Sequence, residues 1–395
     1  MDAGRSDYDV LIIGAGLVGL ALAAALARTG LAVALVDRSP VAVRNATTDN
    51  DWDARVYAVS PGSAEFLHSL GAWQHLPCER LAAIEAMDIR GDAGGALSFS
   101  AYELGERALA WIVENRELNA ALVATLRMTS GIDVLAPCQP TTLSWRSDVA
   151  QLALADARMI SARLIIGADG VRSWTRQQTG LAQEPQPYSQ TAVVANFATE
   201  LPHRGRAFQW FLADGGVLAW LPLPGRRISI VWSAPVPLAR ELCALDAIVL
   251  ASRMAAAGGN ALGALTLITP PTAFPLFALK LPTVITHRLA LVGDAAHGVH
   301  PLAGQGVNLG FGDAAVLAAV LAARGPVADA GAPILLERYA RRRAEPVLAM
   351  QTLTDGLARL FGVSPPWIKG LRNRGMRTVD ALGILKKVLA RPALR

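Results

Sequence analysis

The run Gly14-Ala15-Gly16-Leu17-Val18-Gly19 constrains this chain of 395 residues more than any other feature. It follows an apolar run, Tyr8 to Ile13 (YDVLII), that suits a buried parallel strand. It opens the alanine- and leucine-rich stretch Leu17 to Arg28, helical in pattern and stopped by Gly30. A second buried strand, Leu31 to Val36, ends in Asp37. Strand, glycine turn, helix and strand make a βαβ unit. In GxGxxG the first glycine permits the tight turn, the second lets a pyrophosphate approach the backbone, and the third lets helix and strand pack closely. Free N–H groups and the helix dipole then face the phosphates. Asp37 stands where a carboxylate accepts from ribose hydroxyls, and it would repel a 2′-phosphate, which disfavours NADP. Gly14, Gly16, Gly19, Asp37 and the adjoining Arg38 are the expected cofactor-binding residues of this turn. The motif alone leaves FAD and NAD both open.

Val10 to Ala27 is eighteen residues without a charge, long enough to raise the question of a membrane span. Glycines punctuate it, and Asp7 and Asp9 stand where a signal peptide carries positive charge. Strand, turn and helix explain the same residues, and a cytoplasmic protein is expected. A hydrophobic fraction of 52% with 17% charged residues gives a large core and excludes an intrinsically disordered chain. Cys78, Cys138 and Cys243 lie far apart, which excludes a zinc ribbon, an iron–sulfur cluster and a disulfide scaffold. The formal net charge is +5, but residues 365–395 alone carry eight basic residues against Asp380. The basicity therefore belongs to the tail, and no nucleic-acid surface is expected.

Further along, Ala108 to Val113 reads as a strand, Arg116 to Met128 as a helix, and Ile160 to Ile166 as a strand running into Gly167-Ala168-Asp169-Gly170. From about Thr191 to Lys280 the pattern changes to strands with bulky or β-branched residues (VVANFA, AFQWFL, VLAWLPL, RISIVWS), with one helix near Leu238 to Ala255. That stretch predicts a mixed or antiparallel sheet in a second domain. Arg288 to Val292 restores a buried strand, Gln305 to Ala323 a helix, and long helices follow.

Two distant segments decide the cofactor: GADGVRS at 167–173 and GDAAHGVHPLAGQGVNLG at 293–310. With the glycine turn, with Asp53-Ala54-Arg55, Ala58 and Ser60, and with Asn115-Arg116 ahead of Leu118, the chain resembles the aromatic hydroxylase class of flavin monooxygenases. That class includes p-hydroxybenzoate hydroxylase, and the nearest likeness within it is the ubiquinone-biosynthesis hydroxylase family. The resemblance spans residues 14 to 310, most of the chain. It implies an α/β fold: a Rossmann-like FAD-binding domain of glutathione reductase type, an inserted mixed β-sheet substrate domain, and C-terminal helices. The expected division assigns residues 1–75, 107–185 and 283–330 to the FAD-binding domain. Residues 76–106 connect into the substrate domain, 186–282 form it, and 331–395 are a helical region.

The resemblance also implies roles. Asp294 would bind the ribityl chain of FAD, with a helix cap as its other reading. Asp169 and Gly170 match the motif assigned to the FAD pyrophosphate and to NAD(P)H, and Arg55 and Arg116 match positions that contact the flavin. Pro301, Gly304, Gln305, Gly306 and Asn308 precede and open a helix whose N-terminus would favour the negative charge of reduced flavin. His297 and Pro301 are expected close to the flavin, with no catalytic acid or base assigned. His297 and His300 lack the third ligand of a metal site, and no metal is expected. Phe208, Trp210, Trp220 and Trp232 are the candidate lining of an apolar substrate pocket.

The implied reaction is hydride transfer from NAD(P)H to FAD, then reaction with O2 to a flavin C4a-hydroperoxide that hydroxylates an electron-rich aromatic ring. The substrate would be an aromatic small molecule or a prenylated phenol. In the tail, Ile368, Leu371, Val379, Leu382 and Leu385 roughly follow one helical face among basic residues. This is the pattern of a peripheral membrane contact, a docking element for a biosynthetic complex, or a helix packed on the domain. Two other readings stay open here: a hydroxylase of a soluble phenolic compound, and a flavin-binding subunit without turnover. A WxWxIP-type segment is missing, which disfavours a flavin halogenase.

Overall fold

The structure, a computed structural model, describes residues 6–43, 48, 51–181, 183–300, 304–325, 328–362 and 365–394. The strand Tyr8–Ile13 lies mid-sheet, with Val33–Val36 and Met159–Gly167 parallel to it on either side. Ile132–Leu135 extends the sheet beyond Val33–Val36, and Leu289–Leu291 extends it beyond Met159–Gly167. Because side chains alternate along a strand, Val10, Ile12, Leu35, Leu164 and Ile166 face the helices Leu17–Ala27, Asn115–Arg127 and Gly306–Ala322. Leu11, Ile13, Val36 and Ile165 face the other way, onto a core shared with the antiparallel strands Pro140–Trp145 and Ala150–Leu154. A parallel sheet buried on both faces needs strands that are apolar at every position. Val10 to Ile13 (VLII) and Val33 to Val36 (VALV), buried throughout, meet that need.

The carboxyl ends of the parallel strands run into Gly14, Asp37, Ala168 and the turn Gly293–Ala295. Such an edge is where open α/β sheets hold ligands.

A second sheet, of nine strands among the described residues, is built on Gln186–Thr199, Arg227–Pro235, Val217–Leu223 and Arg206–Phe211, each antiparallel to the next. Residues 86–100 join it as a hairpin, Ala86–Arg90 lying parallel to Arg206–Phe211, so the sheet is mixed. The helix expected near 238–255 is two helices, Val236–Ala244 and Ala247–Ala257. Asp246 separates them: its Oδ1 accepts from the N–H groups of Ile248 and Val249, both at 3.0 Å, starting a new helix. A three-stranded sheet, Val56–Val59, Ala110–Glu114 and Ala82–Ile84, lies between the two larger ones. The long helix Pro333–Leu360 follows, with Pro346 inside it, and then Pro366–Ala381 and Gly383–Leu394. Among the described residues, no helix is long and apolar enough to cross a membrane.

Candidate active site

Gly14 has φ +111°, and a Cβ there would lie 2.4 Å from the Ala168 carbonyl oxygen. At Gly19 it would lie 1.9 Å from the Gly14 oxygen. Neither position takes a side chain, so the first helix packs directly on the strand and on the Gly167-Ala168 turn. At Gly16, by contrast, an added Cβ meets nothing within 4 Å. Gly16 caps the helix without any side-chain hydrogen bond, leaving its first N–H groups facing that open space. The Asp37 carboxylate accepts from Ala15 N and Ser39 N, both at 2.7 Å, and so fixes the turn. Each oxygen keeps acceptor capacity. Arg38 is exposed beside it.

Asp294 emerges from the turn Gly293–Ala295, reachable by solvent yet deep within the protein's outline, so it lines an internal cleft. Burial pushes its pKa up, with Asp313 adding and His297 and Arg55 opposing. Two residues that the sequence did not single out share the cleft. The Arg55 guanidinium sits 5.3 Å from the Tyr57 ring centroid and 5.7 Å from that of Phe274, a residue of the second sheet. Burial pushes the Tyr57 hydroxyl up to about 12, against Arg55 and helped by Asp294 and Asp53. Exposed Arg55 thus bridges the two larger units at the cleft.

Pro301 lies outside the described residues. Beyond it, Gln305 caps the helix Gly306–Ala322 without a side-chain bond, and a Cβ at Gly306 would meet nothing within 4 Å. Gly304 packs on Ala58, whose Cβ would be 3.2 Å from an added one. The Asn308 amide donates to Ala58 O at 2.8 Å and accepts from Ser60 N at 3.0 Å, tying the helix start to the strand Val56–Val59.

The remaining candidates have protein partners. Asp169 accepts from Ser173 Oγ, Thr175 N and Thr175 Oγ1, with Gly170 turning beside it in open space. Arg116 pairs with Asp51 at 3.1 Å, and its backbone N–H donates to Asp53. Burial opposes the Arg116 charge, but Asp51, Glu114 and Glu117 hold its pKa above the usual value. The buried Arg176 was not legible as a tie: it donates to Ala295 O at 3.0 Å and Val171 O at 2.8 Å, joining the Asp169 turn to the Asp294 turn. His297 Nε2 lies 2.6 Å from Asp313 Oδ2, whereas His300 Nε2 lies 2.9 Å from Gln190 Oε1. The two histidines therefore serve different partners. Burial holds the His300 pKa down at about 4.

The aromatic expectation is corrected. Phe208, Trp210, Trp220 and Trp232 pack together on the face of the second sheet that its two helices cover. Alternation places Ala207, Leu221 and Leu223 on the opposite face, against Trp52, Ala58, Ile84 and Ile112. Asn196 on that face donates to Asp53 O at 2.9 Å. Trp220 and Trp232 are buried in that core, and Phe208 and Trp210 are partly buried against it.

The open space over Gly16 and Gly306 and the solvent-reachable carboxyl of Asp294 set deep in a cleft are what an extended dinucleotide with a flat ring requires, so these residues fit FAD. The sequence profile of the FAD binding domain family matches residues 7–354. This chain belongs to the FAD-binding monooxygenase family that contains the ubiquinone hydroxylases.

Members of that family align over nearly the whole chain. Ubiquinone hydroxylase UbiL of Rhodospirillum rubrum is 37% identical, covering 98% of this chain and 89% of that protein. The 3-demethoxyubiquinol 3-hydroxylase of Escherichia coli is 32% identical, covering 98% of each. Among solved structures, PqsL of Pseudomonas aeruginosa, a probable FAD-dependent monooxygenase, superposes with a TM-score of 0.77 over 94% of this chain and 99% of that one, at 24% identity. Klebsiella pneumoniae HpxO, solved with FAD and uric acid, gives 0.74 over 99% of each chain at 19% identity. The family fold and the FAD cofactor stand.

Proposed function

We propose that this chain hydroxylates the aromatic ring of a ubiquinone precursor, consuming NAD(P)H and O2 and releasing water. One oxygen atom enters a ring C–H, the other leaves as water, and NAD(P)H supplies the two electrons. The observation that carries this reading is the cleft where Asp294, Tyr57, Arg55 and Phe274 meet between the FAD-binding unit and the second sheet. Its support in kind is the likeness to proteins named as ubiquinone hydroxylases along the full chain.

When bound, reduced FAD supplies the oxygen activation. The chain's residues supply the rest. Gly14, Gly16 and Gly19 would admit the pyrophosphate to the helix N-terminus, Asp37 and Arg38 would border the adenosine, and Asp294 would accept from the ribityl hydroxyls. Asp169, Gly170 and Arg116 would border the phosphates, chiefly by shaping the wall through their own bonds. Gly304, Gln305, Gly306 and Asn308 would set a helix N-terminus against the anionic edge of the reduced ring. Tyr57 and Phe274 offer aromatic faces on either side of Arg55, where the substrate ring would be held away from water.

The test is turnover of a short-chain prenyl phenol by the purified, FAD-loaded protein under 18O2. A product heavier by one labelled oxygen is expected, with NAD(P)H oxidation stimulated by the phenol. Stimulated oxidation and labelling with simple soluble phenols only would overturn the ubiquinone assignment.

Such a substrate is membrane-resident, and the C-terminal helices offer a surface for reaching it. Trp367, Leu371 and Leu382 are 70%, 66% and 51% exposed, with Arg374, Lys387 and Arg391 also exposed. The opposite side of the helix Pro366–Ala381 is fastened to the hairpin: Asn373 accepts from Gly95 N at 2.7 Å, and Asp380 accepts from Ser98 N at 3.0 Å. A peripheral contact with an anionic membrane face is the reading these residues support.

A further inference from the structure

Beneath the Asp294 turn runs a chain of buried charged groups that no cofactor contact requires. Asp313, in the helix Gly306–Ala322, accepts from Gly293 N at 2.8 Å and pairs with His297 Nε2 at 2.6 Å through one oxygen. Its other oxygen accepts from Arg343 Nε at 2.6 Å. Arg343 belongs to the helix Pro333–Leu360 and also donates to Leu309 O at 3.0 Å. All three side chains are nearly sealed from solvent. Gly312 makes the approach possible, because a Cβ there would lie 3.0 Å from the guanidinium nitrogens.

We propose that Arg343, acting through Asp313, is a positioning residue for the cofactor: it locks the Gly293-Asp294 turn and His297 into the geometry that receives FAD. Asp313 holds both ends of the turn, its start at the Gly293 N–H and its far side at the His297 ring. A lone carboxylate at that depth would tend to take up a proton. His297, the Arg343 charge and the Gly293 N–H outweigh the burial that pushes the other way and keep the Asp313 pKa low, so it remains an acceptor on all three sides. The helix that carries Arg343 makes two further ties: Tyr339 donates to Leu291 O, at the end of the strand leading into the turn, at 2.8 Å, and Gln351 donates to Leu279 O of the second sheet at 2.9 Å. One helix therefore braces the cofactor turn at Arg343 and the substrate sheet at Gln351.

The experiment is FAD titration of the FAD-free protein, read by flavin fluorescence, for Arg343→Gln, Arg343→Lys, Asp313→Asn and the control Gln351→Leu. Circular dichroism selects the folded variants. The loss expected for Arg343→Gln and Asp313→Asn is about tenfold or more in FAD affinity, the size of one charge-assisted hydrogen bond. The flavin midpoint potential should shift with it. Arg343→Lys keeps the charge but not the Nε geometry, so it should fold and fall between Gln and the unchanged protein. Gln351→Leu should lower the melting temperature while leaving FAD affinity within twofold. If Arg343→Lys and either neutral variant bind FAD as the unchanged protein does, the proposal is wrong. It is equally wrong if Gln351→Leu weakens FAD as much as Arg343→Gln does, since the effect is then general loosening of the helix.

Discussion

Two glycines three residues apart do different physical work. A Cβ at Gly19 would meet backbone at 1.9 Å, where nothing can yield without separating helix from strand. Gly19→Ala is therefore expected to cost about 3 kcal/mol or more, as overpacking against rigid atoms does, seen as a lower unfolding midpoint with or without FAD. Gly16→Ala meets nothing within 4 Å, so the FAD-free protein should melt within a degree or two of the original. Its methyl group would stand where the pyrophosphate arrives, and FAD affinity should fall by roughly tenfold or more. Undiminished FAD binding by Gly16→Ala would remove the phosphate from that turn. Asp294 gives a test of opposite sign. Its pKa is raised, chiefly by burial, so between the unfolded value of about 4 and the folded value the native state binds the extra proton. Stability from this site therefore declines as pH rises through that window, and the full cost stands above it. Asp294→Asn should then raise the melting temperature of the FAD-free protein near pH 7, with the gain vanishing below about pH 4, while weakening FAD. A variant less stable at neutral pH would show that the carboxylate is held by bonds rather than penalised by burial.

At the scale of elements, the second sheet separates stability from recognition by face. Trp220 is fully buried under the helix Ala247–Ala257, with Gly258 so close that a Cβ there would sit 2.1 Å from its ring. Trp220→Ala should lower the unfolding free energy by about 3–5 kcal/mol and leave the KM of the surviving folded enzyme unchanged. Phe274→Ala, at the cleft and only partly buried, should change stability by no more than about 1 kcal/mol and raise KM several-fold. A reversal of the two effects would return the tryptophans to the substrate. This division also marks where sequence pattern stops informing. The glycine turn, its strands and the helix from Gly306 were legible because most of their chemistry is local: Gly19 answers to Gly14 in the same βαβ unit, and Gly16 and Gly306 to the helices they open, whereas the approach of Ala168 to Gly14 comes from a distant strand. The face of a strand that meets the cofactor is not local. Trp220 and Leu221 both look like pocket residues, and only the placement of two helices over one face decides between them. The break at Asp246 was legible in principle, since an aspartate two residues before Ile248 is a helix cap, but the apolar run across it hid the signal. Tyr57 and Arg176 gave no local signal, because their meaning lies in the turns they reach.

The net positive charge of the whole molecule comes from the last stretch of its sequence. Eight basic residues and one acidic residue occupy positions 365–395, and the remainder of the chain is slightly acidic. Some of these are spent inside: Arg372 pairs with Asp92 across the hairpin turn, and Lys386 with Asp380 at 2.8 Å. Arg374, Lys387 and Arg391 face outward, as do Trp367, Leu371 and Leu382. Tryptophan is favoured at the boundary between lipid headgroups and acyl chains, and each basic side chain near an anionic surface contributes about 1 kcal/mol, screened within a Debye length. The full-length, FAD-loaded protein should therefore sediment with phosphatidylglycerol-containing vesicles at low salt, and much less with pure phosphatidylcholine or at high salt. Reversing the three outward charges (Arg374→Glu, Lys387→Glu, Arg391→Glu) should cut the bound fraction by roughly two orders of magnitude in partition coefficient, at about 1 kcal/mol or more per site. Replacing the apolar pair (Trp367→Ser, Leu371→Ser) should weaken binding to both vesicle types, because that contribution does not depend on lipid charge. Neither set touches the cleft, so NAD(P)H oxidation with a soluble phenol analogue should be unaltered while turnover of a vesicle-embedded one falls. Equal turnover of embedded substrate by all forms would separate this surface from substrate access and leave it to an acidic protein partner.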